Sequence, residues 1–90
     1  MRKVLHVKVD EYHIKCASRG TSESCPIALA LTPMLPAGRH ASVGFGWFGV
    51  VEGGKQVESY DLPQNATDFI RDYDQRRKVE PIEFDVEVET

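Results

Sequence analysis

The chain has 90 residues, a formal charge of −3, 41% apolar residues and 28% charged residues. That is length for a single domain over residues 1–90, with an apolar share that excludes whole-chain disorder and a core too thin to enclose a deep cavity. The longest apolar stretch, Ile27 to Leu31, falls far short of the roughly 20 residues that cross a bilayer, so no membrane span is expected.

The charge is unevenly placed. Residues 1–79 carry all 11 Lys and Arg against nine Asp and Glu, whereas residues 80–90 hold Glu80, Glu83, Asp85, Glu87 and Glu89 and no base. A mildly basic body with an acidic end does not suit non-specific nucleic-acid binding. Met1-Arg2-Lys3 leads straight into alternating residues with no apolar leader, which points to a cytoplasmic protein.

Residues 3–9 alternate, with Leu5, Val7 and Val9 on one face, and predict a half-buried strand. Asp10 can cap a short turn over Glu11 to Ile14, and the polar stretch Lys15 to Ser24 reads as a loop. Ser24-Cys25-Pro26 opens a short helix that is apolar nearly all round and that Pro33 stops near Thr32. Residues 41–62 read as a hairpin: a strand from Ala41 to Glu52, a Gly53-Gly54 turn and a return from Lys55 to Asp61. The glycines at 44, 46 and 49 suggest bulges within its first arm. Pro63 opens an amphipathic helix with Ala66, Phe69, Ile70 and Tyr73 on one face and Arg76-Arg77-Lys78 at its end. Ile82, Phe84, Val86 and Val88 then alternate with Glu83, Asp85, Glu87 and Glu89 in a last strand.

The order βαββαβ predicts an α+β protein of the ferredoxin-like or a related two-layer type: a mostly antiparallel four-stranded sheet with two helices on one face. The basic outward row of the first strand (Arg2, His6, Lys8) and the acidic outward row of the last predict that the two pair antiparallel. Lys55 to Tyr60 is polar for a central strand, so a plain α+β sheet with that arm outermost is the alternative.

Gly44 to Gly49 spells G-x-G-x-x-G, but a strand rather than a helix N-terminus is expected after it, which removes the pyrophosphate-binding mechanism. The same stretch resembles the RNA-recognition-motif signature. It departs from it at Val43 and Val50, lacks the second signature's aromatic in the first strand, and sits on the second strand rather than the third. Cys16, Cys25 and the three histidines hold zinc-ligand atoms without a second short chelating pair, so no metal or other cofactor is expected. Cys25 sits where a helix N-terminus would lower a thiol pKa, yet no base accompanies it, and it is expected to pack as a small apolar residue. No acid/base pair or activated nucleophile can be placed, so the chain reads as a non-enzyme. The partner-binding candidates are Phe45, Trp47 and Phe48 on the Gly/aromatic strand, with Glu87 and Glu89 on the acidic edge; the bases of the first strand are expected to neutralise residues 83–87 and leave Glu89 free.

Tyr12-His13-Ile14, Cys25 to Leu31, Leu62-Pro63, Phe69-Ile70, Tyr73-Asp74 and Val79 to Phe84 together resemble a group of short phage and prophage proteins. The resemblance covers most of the chain but not the Gly/aromatic strand. It implies a setting in an infected or lysogenic bacterial cell and a small accessory protein that binds, and in some cases inhibits, a host or phage protein. A single-stranded RNA- or DNA-binding module using residues 43–50 is the alternative, with Phe45 and Trp47 as stacking platforms.

Overall fold

The structure is a computed structural model that describes residues 2–17 and 24–89. In chain order these form β1 (Arg2–Val9), α1 (Glu11–Cys16), α2 (Pro26–Leu31), a 3-10 turn (Thr32–Met34), β2 (Arg39–Val43), β3 (Trp47–Glu52), β4 (Lys55–Asp61), α3 (Gln64–Asp74) and β5 (Ile82–Glu89). The protein is α+β, but the expected single four-stranded sheet is replaced by two antiparallel sheets, β1–β5 and β2–β3–β4, accompanied by three helices.

The cause lies at Gly44 to Gly46. Residues 41–52 do not run as one bulged strand. Gly44 donates its N–H to the Trp47 carbonyl at 2.8 Å, and Gly46 takes φ +89°, so Phe45-Gly46 forms a two-residue hairpin loop. The chain turns back there, and β2, β3 and β4 close into their own meander. The polar β4 occupies its edge, the position its composition suits. Gly53-Gly54, both at positive φ, makes the second turn as expected.

The ends of the chain pair as the charge rows predict: Arg2 faces Glu89, His6 faces Asp85 and Lys8 faces Glu83. Leu5, Val7 and Val9 of β1 and Phe84, Val86 and Val88 of β5 point into the core, where α2 reaches both β1 and β2. Ile27, Leu31, Val7, Phe48 and Val50 are its most enclosed side chains. An apolar helix with no polar face is thus explained by its position between the sheets. α3 buries Ala66, Phe69, Ile70 and Tyr73 and packs on β5.

Helix ends differ from expectation in informative ways. The turn expected at 11–14 is a helix to Cys16, because Asp10 and His13 cap each other: the His13 N–H donates to Asp10 Oδ1 at 3.2 Å and the Asp10 N–H donates to His13 Nδ1 at 3.1 Å. Pro33 does not end α2 abruptly but tightens its last turn into a 3-10 turn. α3 stops at Asp74, and Arg76, at φ 62°, turns the chain away, so the bases at 76–78 lie beyond the helix instead of in its last turn. Of the loop expected at 15–24, residues 18–23 lie outside the described residues.

Tyr60 ties the two sheets together. Its hydroxyl accepts the Glu89 N–H at 3.0 Å and donates to Glu58 at 2.6 Å, while its ring packs 5.5 Å from that of Phe48. Partial burial is the main cause of a phenol pKa above its ordinary value, so the O–H is retained as a donor.

Candidate functional site

The hairpin loop at Phe45-Gly46 decides which aromatics reach solvent. Phe48 begins the inward row of β3 and is 0% exposed, so it belongs to the core and presents nothing to a partner. Its expected place on a recognition surface is corrected by strand alternation, which sends neighbours to opposite faces. Trp47 points outward and is 39% exposed; Phe45, in the loop and not on a strand, is 65% exposed. Phe45 and Trp47 therefore do not form the stacking row along one strand that the RNA-binding signature requires: Phe45 sits in the turn and Trp47 opens the strand after it.

The indole of Trp47 has a fixed seat. It lies over Gly44 so closely that a Cβ there would overlap the ring, and the Gly46 carbonyl accepts the Leu62 N–H at 3.0 Å, tying the loop to the approach of α3. Directly across the sheet from Trp47, on the same face, is Asp61. This neighbour was not among the expected site residues. A plain Gly53-Gly54 hairpin would pair Trp47 with Tyr60; the shift between Val50 and Val51 moves the register by one. That shift sends Tyr60 inward against Phe48 and sets Asp61 opposite Trp47 in the ladder, while the indole itself leans the other way, over Gly44. Among the described residues Asp61 has no ion pair.

Asp61 also lines a shallow recess of about 280 Å³ shared with Arg2, Tyr60, Glu87 and Glu89. Of the expected site residues it holds the acidic pair Glu87 and Glu89, and none of Phe45, Trp47 and Phe48 lines it. Glu87 and Glu89 both lie against Arg2, at 3.2 and 3.4 Å. Glu89, expected to be free, is held on the ribbon.

The rest of the acidic row is paired as well. His6 bridges Asp85 through Nδ1 at 2.6 Å and Glu83 through Nε2 at 3.0 Å, and Lys8 reaches Glu83 at 3.7 Å. Hydrogen bonds to Glu83 and then to Asp85 raise the His6 pKa, and the same contact with His6, followed by the charge of Lys8, lowers that of Glu83.

A second recess, of about 650 Å³, opens between the sheets over Leu5, Val50 and Val88, with Met34 and Leu35 on one lip. Its charged rim is largely self-satisfied: Arg39 pairs with Glu52 at 3.2 Å and with Glu58 at 3.3 Å.

The groups considered for chemistry are otherwise engaged. His13 completes the cap of α1. Cys25 is the N-cap of α2, with Ala28 donating its N–H to Sγ at 3.4 Å, and burial pushes its thiol pKa up. Desolvation outweighs the hydrogen bonds of the helix terminus, so the lowered pKa that position suggests is not found. Both Cys16 and Cys25 are free thiols. Among the described residues, no three His, Cys, Asp or Glu side chains converge as metal ligands, and no helix is long and apolar enough to cross a membrane.

The chain matches none of the family models, curated proteins or solved structures with which it was compared. The functional reading therefore rests on the site itself.

Proposed function

We propose that the protein is a small non-catalytic accessory protein of phage or prophage origin that acts in the cytoplasm of the host cell by docking on a host or phage protein, inhibition being one of the outcomes such docking can have. The observation that carries this reading is the exposed pair Phe45 and Trp47 at a hairpin corner whose indole is already seated on Gly44. Aromatic side chains held in place before binding lose little conformational freedom on contact, which is why they dominate interface energetics. The high thiol pKa of Cys25 and the use of His13 as a cap fit a protein without catalytic machinery. The resemblance to phage proteins falls mainly on residues that build the core, such as Ile27, Leu31, Phe69, Ile70 and Tyr73. On this reading the scaffold is shared and the aromatic corner is this chain's own instrument.

The test is affinity capture with the tagged protein, followed by purification of the recovered partner. A stoichiometric partner that shifts the emission of Trp47, the single tryptophan, and is lost on Trp47→Ala and weakened on Glu87→Lys supports the reading. A partner indifferent to both changes overturns it. The runner-up is single-stranded nucleic acid stacked on Trp47 and Phe45, favoured only by their exposure. Asp61 opposite Trp47 repels phosphate. An emission change on adding oligothymidylate at low salt would favour that alternative.

A further inference from the structure

We infer that the outer edge of β1 takes an extended strand of a protein partner, paired antiparallel, with an apolar side chain opposite Leu5 and a carboxylate opposite Lys3. This surface lies apart from the aromatic corner, so the inference goes beyond the docking reading and does not depend on it.

The hydrogen bonds of the ribbon locate the edge. The Glu89 N–H donates to the Tyr60 hydroxyl at 3.0 Å, and the Glu83 carbonyl accepts from Asn65 Nδ2 at 3.1 Å. The odd-numbered residues of β5 therefore turn their backbone groups away from β1. In an antiparallel ladder, two directly opposed residues either exchange both bonds or both send their polar groups outward. The residues opposed to Glu83, Asp85, Glu87 and Glu89 are Lys8, His6, Val4 and Arg2. Their N–H and C=O groups thus point off the far side of the ribbon, where no strand pairs with β1. Among the described residues no hydrogen bond reaches the backbone of Val4 or His6 on that side. Such a row of unpaired groups is a template for one more strand. The outer edge of β5, by contrast, is held by Tyr60 and Asn65, and that of β2 by Thr32, whose Oγ1 accepts the Ala41 N–H at 3.1 Å.

A recess beside this edge gives the incoming strand its side-chain pattern. Lys3 and Leu5, on either side of the exposed Val4, both line the recess of about 650 Å³ between the sheets, with Met34 and Leu35 on its lip. Directly opposed residues of an antiparallel pair share a face, so an added strand sets its inward side chains level with these two. The side chain opposite Leu5 meets an apolar recess. The one opposite Lys3 meets a cation that stands on the same row as Leu5, Val7 and Val9 and has no ion pair among the described residues. The other charges of the recess are engaged: Arg39 pairs with Glu52 and Glu58, and Glu89 is held by Arg2 and a further interaction. Residues two apart in a strand lie on one face, so the segment that fits reads apolar, any residue, then Asp or Glu. Backbone pairing gives such a complex its affinity, and the recess gives it specificity.

The probe is the capped peptide Ac-Thr-Thr-Thr-Leu-Thr-Glu-Thr-NH2, and its binding is followed by the amide resonances of Val4 and His6. Both amides should exchange fast in the free protein and slow at least about tenfold when the peptide saturates it. N-methylation of the threonine between leucine and glutamate, whose N–H must meet Val4, should weaken binding about tenfold. N-methylation of the leucine, whose N–H points away from β1, should leave it nearly unchanged. Glutamine in place of glutamate should cost about two- to fivefold, and Lys3→Ala should remove that difference. Slow exchange at Val4 and His6 in the free protein overturns the inference, because the edge would already be satisfied. Equal binding of the two N-methyl peptides, or of the glutamine and glutamate peptides, overturns it too. Protection of Val4 and His6 that grows with protein concentration alone would assign the edge to a second copy of the chain and likewise overturns it. Failure of every peptide to bind does the same, yet leaves the docking reading standing if a captured partner is still lost on Trp47→Ala.

Discussion

In the β1–β5 ribbon every acidic side chain on the exposed face, Glu83, Asp85, Glu87 and Glu89, lies within ion-pair distance of Arg2, His6 or Lys8. On the outer face of β2–β3–β4, Asp61 has no such partner among the described residues, and Trp47 is left partly open opposite it. Both sheets are antiparallel and both present one face to solvent, so the difference is one of side-chain bookkeeping rather than of architecture. The ribbon spends its charge on its own register. The three-stranded sheet is held by its turns and by the inward row Ala41, Val43, Phe48 and Val50, and its outer corner leaves Phe45 and Trp47 exposed.

The sharpest way to break this comparison uses two adjacent aromatics. Phe48→Ala removes a fully enclosed ring from the core and should cost about 3–5 kcal/mol, a large share of the roughly 5–15 kcal/mol that holds a domain together. Trp47→Ala removes a ring already partly exposed and should cost about 1 kcal/mol or less, while abolishing partner binding. Urea midpoints of the two variants measure the contrast. Similar losses in both would make Trp47 a structural residue and remove the basis for a docking corner.

The same two residues show how far the sequence could be read. Alternation alone places Trp47 and Phe48 on opposite faces, and opposite charge rows are enough to pair the first strand with the last in the observed register. Both are local or near-symmetric signals with a fixed period. The division into two sheets was not legible, because Gly44 and Gly46 are equally compatible with bulges and with a turn; only the positive φ at Gly46 distinguishes them. Asp61 was hidden for a similar reason. Its place opposite Trp47 depends on one extra residue accommodated near Val50 and Val51, which no composition rule announces. Cys25 was misleading in one respect: its helix-terminal position is plain, but the burial that reverses its thiol pKa is a tertiary fact.

A smaller effect probes the seam between the two regions. Tyr60→Phe keeps the ring against Phe48 but loses the hydroxyl that the Glu89 N–H donates to and that donates to Glu58. The loss should be about 1 kcal/mol, since Glu58 keeps Arg39 and the Glu89 N–H can turn to water. Amide exchange at Glu89 should quicken while that at Val50, inside β3, stays slow. Equal acceleration at both positions would mean that the sheets do not open separately.

The smallest effect concerns the ribbon alone and depends on pH. His6 faces Glu83 and Asp85 on β5, with Lys8 beside it on β1. Its pKa in the folded protein is raised above the ordinary 6.5, so its stabilising share is complete below about that pH and is lost as pH rises through the raised value. Glu83 has its pKa lowered from 4.5, so its share is present above that value and is lost as pH falls through the lowered one. The ribbon is therefore tightest between these two limits. Thermal unfolding of the native protein should lose more stability between pH 6 and pH 8.5 than that of His6→Gln, whose amide carries no titrating charge. The gap should narrow at high salt, because both carboxylates and the imidazole stand in solvent where counter-ions screen them. His13 and His40 are common to both proteins, so the difference between the two curves belongs to His6. Parallel curves would show that the ribbon's register rests on its buried row, Leu5, Val7, Phe84 and Val86, with the charges selecting the partner strand but adding nothing measurable once it is in place.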